Sequence, residues 1–109
     1  MSMRKPDYLG EFEVLILLAL LRLHDHAHGA AIWRELQKKA KRTVVMAAIY
    51  TTLDRLQNKG YVTSSWSMSE GVRPKKLYAI TDSGHKAVER SLYAVNEMQA
   101  GLNLGFSPK

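Results

Sequence analysis

Two groups of residues in the middle of the chain could meet a polyanion. Ala47, Tyr50, Thr51, Asp54, Arg55 and Asn58 recur at helical spacing. At about 100° per residue they lie on or near one face, opposite a stripe of Ile49, Leu53 and Leu56. Thr and Tyr hydroxyls bond phosphates or base edges, and Arg can pair bidentately with guanine. Further on, Arg73, Lys75 and Lys76 cluster about Pro74, after Gly71. Pro stiffens a turn and Gly supplies unusual backbone angles, so these cations stand at the expected tip of a hairpin. Either group alone could be a solvated face. Their order matters more: a polar-faced helix followed directly by a basic hairpin can address one duplex with both surfaces.

Other chemistry has weaker cues. His24, His26 and His28 alternate, and three imidazoles can hold Zn²⁺ or Ni²⁺. There is no HExxH and no Cys, and alternation in a turn does not fix a tetrahedron, so neither a metal site nor a cofactor is assigned. Trp33 falls on the buried face of its helix and Trp66 on the inward side of its strand, which predicts core packing for both. Tyr93 and Met98 are candidates for lining a ligand pocket between subunits, with packing in that seam the simpler role. There is no P-loop, no GxGxxG after a strand and no GxSxG, and Glu11 and Glu13 are two apart on a helix and do not converge. No enzyme is expected.

The elements that must hold these residues follow from periodicity. Leu9 to His24 predicts a first helix, apolar nearly all round, which needs cover on more than one side. Ala30 to Lys41 predicts a second, with Ile32, Trp33, Leu36 and Ala40 inward. Asp25 to Gly29 reads as the turn between them. Met46 to Lys59 predicts the third helix, and Gly60 its C′ residue. Tyr61 to Met68 alternates as a strand, Ser69 to Lys75 turns, and Lys76 to Ile80 returns. Thr81 is placed to cap a last helix running from near Asp82 to about Asn103. On that helix Val88, Leu92, Val95 and Leu102 form a stripe too long for the small core beside it. With Leu17 and Leu21 of the first helix, these residues are the expected seam with a second copy.

The bulk numbers agree. At 109 residues the chain holds one modest core. Its Lys and Arg outnumber Asp and Glu, 16 to 10, for a formal charge of +6, which favours polyanionic partners. With no Cys, disulfides and thiolate metal sites are excluded and a reducing cytoplasm is expected. The apolar run Val14 to Leu21 is far short of the roughly 20 residues that span a bilayer, and no small-residue cleavage site follows it.

LGEFEVLILLALL, then HG, AIYTTLDRLQNKGYV, W and GVRPKKLYAITDSG resemble the PadR family of bacterial transcriptional regulators over about residues 9 to 90. The short tail is similar to the small subfamily, which has a single C-terminal helix. Ala48 stands where the family usually has Gly, and Tyr93 is the nearest match to an aromatic that drug-binding members carry on the last helix. The resemblance implies an α+β winged helix-turn-helix, a three-helix core plus a two-stranded wing, with a C-terminal dimerisation helix. Residues 1–81 are the expected DNA-binding domain, 1–7 of it an arm, and 82–109 the dimerising helix and tail. It further implies a homodimeric repressor on a pseudopalindromic double-stranded operator, with Tyr50 and Thr51 near the bases and Arg73, Lys75 and Lys76 on flanking backbone. A small-molecule inducer is left open. Residue chemistry alone also leaves open a winged-helix module that binds protein, and a metal-responsive sensor through His24, His26 and His28.

Overall fold

The computed structural model describes residues 8–69 and 72–104, so the expected arm over 1–7 and Gly71 at the hairpin tip lie outside the described residues. The order is α1 (Glu11–Leu23), a 3-10 turn (His24–His26), α2 (Gly29–Lys39), α3 (Met46–Asn58), β1 (Val62–Ser69), β2 (Val72–Ile80) and α4 (Asp82–Gln99). This is the expected α+β winged helix-turn-helix.

Local chemistry sets the helix ends. Gly10 precedes α1, and its N–H donates to the Glu13 carboxylate at 2.8 Å, so the side chain of the first turn satisfies a free backbone donor. Glu11 and Glu13 face the positive end of the helix dipole and Arg22 the negative end. Gly29 already belongs to α2, so the turn before it is shorter than expected. Gly60, at φ +82°, ends α3 in a backbone region that other residues enter only with strain. Thr81 caps α4 as expected, its hydroxyl accepting from the Gly84 N–H at 3.1 Å and donating to the Gly60 carbonyl at 2.7 Å. The helix stops at Gln99 rather than near Asn103, because Ala100 turns extended and Gly101 takes φ +82°.

The core lies where α1, α2, α3 and the base of the hairpin converge. Ile16, Leu17, Leu20, Ile32, Leu36, Ile49, Leu53, Leu56 and Val62 are its buried centre, joined by Tyr78 and Val88. One expectation is corrected by it. Leu17 and Val88, predicted at a subunit seam, are buried in the core of their own chain, because α4 packs against α1 there. Trp33 packs half-buried against this core as expected, and its indole N–H donates to the Val44 carbonyl at 2.6 Å, so it also ties α2 to the segment before α3.

The hairpin is longer than its sequence pattern predicts. Strand pairing runs from Val62 with Ile80 to Ser67 with Lys75, breaks its register, and resumes at Ser69 with Val72. Arg73, Pro74 and Lys75 are therefore strand residues, not turn residues. Pro74 sits at the register break, where a missing N–H costs no ladder bond. The wing is fastened to the body at Tyr78, whose N–H donates to the Ala27 carbonyl at 2.9 Å. Trp66 is corrected as well: it is 63% exposed rather than packed, since the strands run beyond the body that covers Val62.

Candidate nucleic-acid interface

The face of α3 opposite its buried stripe is open. Ala47, Tyr50, Thr51, Asp54, Arg55 and Asn58 are all exposed, while Ile49, Thr52, Leu53 and Leu56 are buried. The helix period thus delivers the polar side chains expected from sequence onto one accessible surface. Two of them are engaged within the chain. The Tyr50 ring lies over the start of α2, against Gly29. The Arg55 Nε donates to Glu13 at 3.2 Å, and Lys59 Nζ reaches the same carboxylate oxygen at 3.0 Å.

Glu13 is the site residue that sequence reasoning missed. It is buried on α1, yet it binds the Gly10 amide, Arg55 and Lys59 together. Burial alone would raise its carboxyl. The Gly10 amide and the two cations outweigh that and hold it below the usual carboxylate range. Its partner Glu11 turns away to Arg42 at 2.9 Å, so the two acids indeed do not converge. The available signal was an acid in the third position of a largely apolar helix, three residues after a Gly.

The wing cations do not form one cluster. Lys76 pairs across the strands with Trp66, and Lys75 with Ser67, so the two ammonium groups leave opposite faces of the hairpin. Arg73 and Lys75 are exposed and Lys76 half-buried. The Lys76 ammonium lies 5.7 Å from the centre of the Tyr78 ring, within cation–π range. Burial, with Tyr50 and Asp54 nearby, pushes the Tyr78 phenol above its usual range. The first strand of the wing packs against α3, which sets the hairpin beside that helix.

The histidines do not converge either. His24 and His26 are exposed, and His28 precedes the first turn of α2, half-buried. Among the described residues no three His, Cys, Asp or Glu side chains stand together to hold a metal ion. Burial first, then Lys75, Arg34 and His26, hold the His28 imidazole below its usual value.

A second feature lies across the molecule. α1 and α4 wall a groove of about 850 Å³, lined mainly by apolar side chains including Val14, Leu15, Leu18, Leu92 and Val95. Leu92, Val95 and Leu102 are exposed, and Leu21 is half-buried. Tyr93 and Met98, the candidates for a ligand pocket, are exposed and do not line this groove. No described helix is long and apolar enough to cross a membrane.

Three helices closed by a two-stranded wing, with a polar helix face beside a basic hairpin, define the winged helix-turn-helix class of DNA-binding regulators. The model of the PadR-like family of transcriptional regulators matches residues 17–90, and the chain belongs to that family. Its members are regulators, not enzymes. Among solved structures, a PadR-like transcription factor from Bacteroides fragilis is 29% identical, with 84% of this chain and 89% of that one covered and a TM-score of 0.65. RosR of H. salinarum is 30% identical over 87% of this chain and 81% of its own, at 0.68. Bacillus subtilis PadR, solved with operator DNA, is 24% identical over 75% of this chain and 46% of its own, at 0.66, a likeness of fold. No curated protein matches the chain.

Proposed function

We propose that the chain is a sequence-specific transcriptional repressor that acts in the cytoplasm and binds a pseudopalindromic operator as a homodimer. The observation that carries this reading is the exposed polar face of α3 with the basic two-stranded wing packed beside it through β1. Operator binding by the Bacillus subtilis PadR supports it. In this reading Ala47, Thr51 and Asp54 approach base edges from the start and middle of α3. Tyr50 and Arg55 act from its flanks, held by Gly29 and Glu13. Arg73, Lys75 and Lys76 engage the flanking backbone. Residues 1–81 read DNA, and 82–109 join the copies.

The α1–α4 groove supports the dimer. A second copy laid along α4 would cover Leu21, Leu92, Val95 and Leu102. The groove volume also falls within the roughly 300–1,000 Å³ of small-molecule pockets, which supports an inducer as a further partner.

Gel shifts against DNA upstream of the chain's own coding region, at two salt concentrations, test the reading. The expected result is a discrete complex that resists non-specific competitor. Recovered half-sites should lie roughly 34 Å apart, or a multiple of that. Binding that competitor DNA removes completely would instead leave the basic surface as a solvating one.

A further inference from the structure

The wing carries a surface that the reading above leaves unused. Strand register puts Val62, Ser64 and Trp66 on one face of β1, opposite Ile80, Tyr78 and Lys76 of β2. This face changes character along its length. At its base Val62 and Tyr78 are buried in the core. Farther out Trp66 is 63% exposed, and Met68 beyond it is exposed as well. A large aromatic turned to solvent loses the burial that normally stabilises it. Its cross-strand neighbour is a cation, Lys76, which leans toward Tyr78. Tyr50 and Asp54 of α3 are near enough to Tyr78 to help raise its phenol. Trp66 thus stands beside Lys76, which reaches back toward Tyr78, on a wing whose first strand packs against α3.

The charge around Trp66 selects among occupants. Lys76 beside it, with Arg73 and Lys75 on the same strand, makes a polyanion the complementary partner, whereas protein interfaces are depleted in Lys. A duplex also offers what an indole can use, since apolar side chains pack on thymine methyls or wedge at base steps while adjacent cations take phosphates.

Building on the operator-binding reading, we propose that Trp66 contacts DNA, its indole packing on the sugar and base edges that flank the half-site while Lys76 takes the adjoining phosphate. An apolar contact releases no counterion, so Trp66 would add affinity without steepening the salt dependence.

The experiment compares the parent protein with Trp66→Phe and Trp66→Ala on a duplex recovered by selection from a random pool. Subtracting the emission of Trp66→Phe from that of the parent isolates the Trp66 signal while Trp33 stays in place. That signal should change on adding DNA and saturate where the gel shift does. Trp66→Ala should bind about tenfold more weakly with the salt slope unchanged, and Trp66→Phe should recover most of the loss. Because the side chain is exposed, both variants should melt like the parent. A Trp66 signal that stays silent on saturating DNA, with Trp66→Ala binding as the parent does, would overturn this inference alone and reassign the face to a protein partner or a second copy. A parent that gives no specific complex would overturn the operator-binding reading and this inference with it.

Discussion

A β-carbon at Gly29 would collide with the hydroxyl and ring of Tyr50, so the first residue of α2 is kept bare by the candidate recognition helix. Replacing Gly by Ala normally stabilises a helix by about 0.5–1 kcal/mol. In Gly29→Ala that gain should vanish, because Tyr50, which is half-exposed, must swing outward to make room. Thermal melting should therefore show no stabilisation. Operator affinity should nevertheless fall, because the side chain displaced stands on the open face of α3. A variant that melts higher and binds as the parent does would separate Tyr50 from the interface.

Glu13 ties the start of α1 to the end of α3 through Arg55 and Lys59. Its carboxyl titrates lower in the folded chain than in the unfolded one. A depressed carboxyl contributes stability that is fully present above the unfolded value and lost as pH falls through the folded one. Urea midpoints should thus drop in the acid range, below the usual carboxylate value, and Glu13→Gln should flatten that drop. At neutral pH the same variant should lose about 2 kcal/mol, since it removes hydrogen bonds to charged groups at a buried position. Equal acid sensitivity in the two proteins would assign the drop to other carboxylates.

Lys75 and Lys76 leave the hairpin on opposite faces, so single substitutions should not be equivalent. Lys76 shares its face with Tyr78 and with Trp66. Lys76→Ala should flatten the dependence of log affinity on log salt by up to about 0.9, the loss of one phosphate contact. Lys75→Ala should flatten it less. Binding curves at several salt concentrations give both slopes, and identical slopes would mean that the wing meets the backbone tip-first.

Much of this arrangement was legible in the sequence because short-range rules govern it. The period of Ile49, Leu53 and Leu56 fixes which side chains of α3 face outward, and Gly60 and Thr81 fix two helix ends. The hairpin was misread where long-range geometry intervenes. A Pro between cations signals a turn, but Pro74 at a register break is equally at home in a strand. Alternation correctly put Trp66 on the face of Val62; it could not tell that the body ends before reaching it. Glu13 was obscure for a related reason: its partners Arg55 and Lys59 lie more than forty residues away.

The apolar stripe of α4 gives the sharpest test of the dimer. Leu92 is 43% exposed and Val95 54% exposed in a single chain, and both line the groove against α1. A charge there meets water in one copy alone, so Val95→Glu should leave the helical signal of the winged domain intact. Against a second copy the same carboxylate would be desolvated opposite an apolar wall, with no partner to offset the cost. Sedimentation should therefore report a monomer. Operator affinity should fall by roughly a hundredfold or more, since each remaining half would have to bind without the effective concentration that linkage supplies. Loss of folding along with dimerisation would show that the chain needs its partner to fold. A folded Val95→Glu variant that still sediments as a dimer would move the seam away from α4.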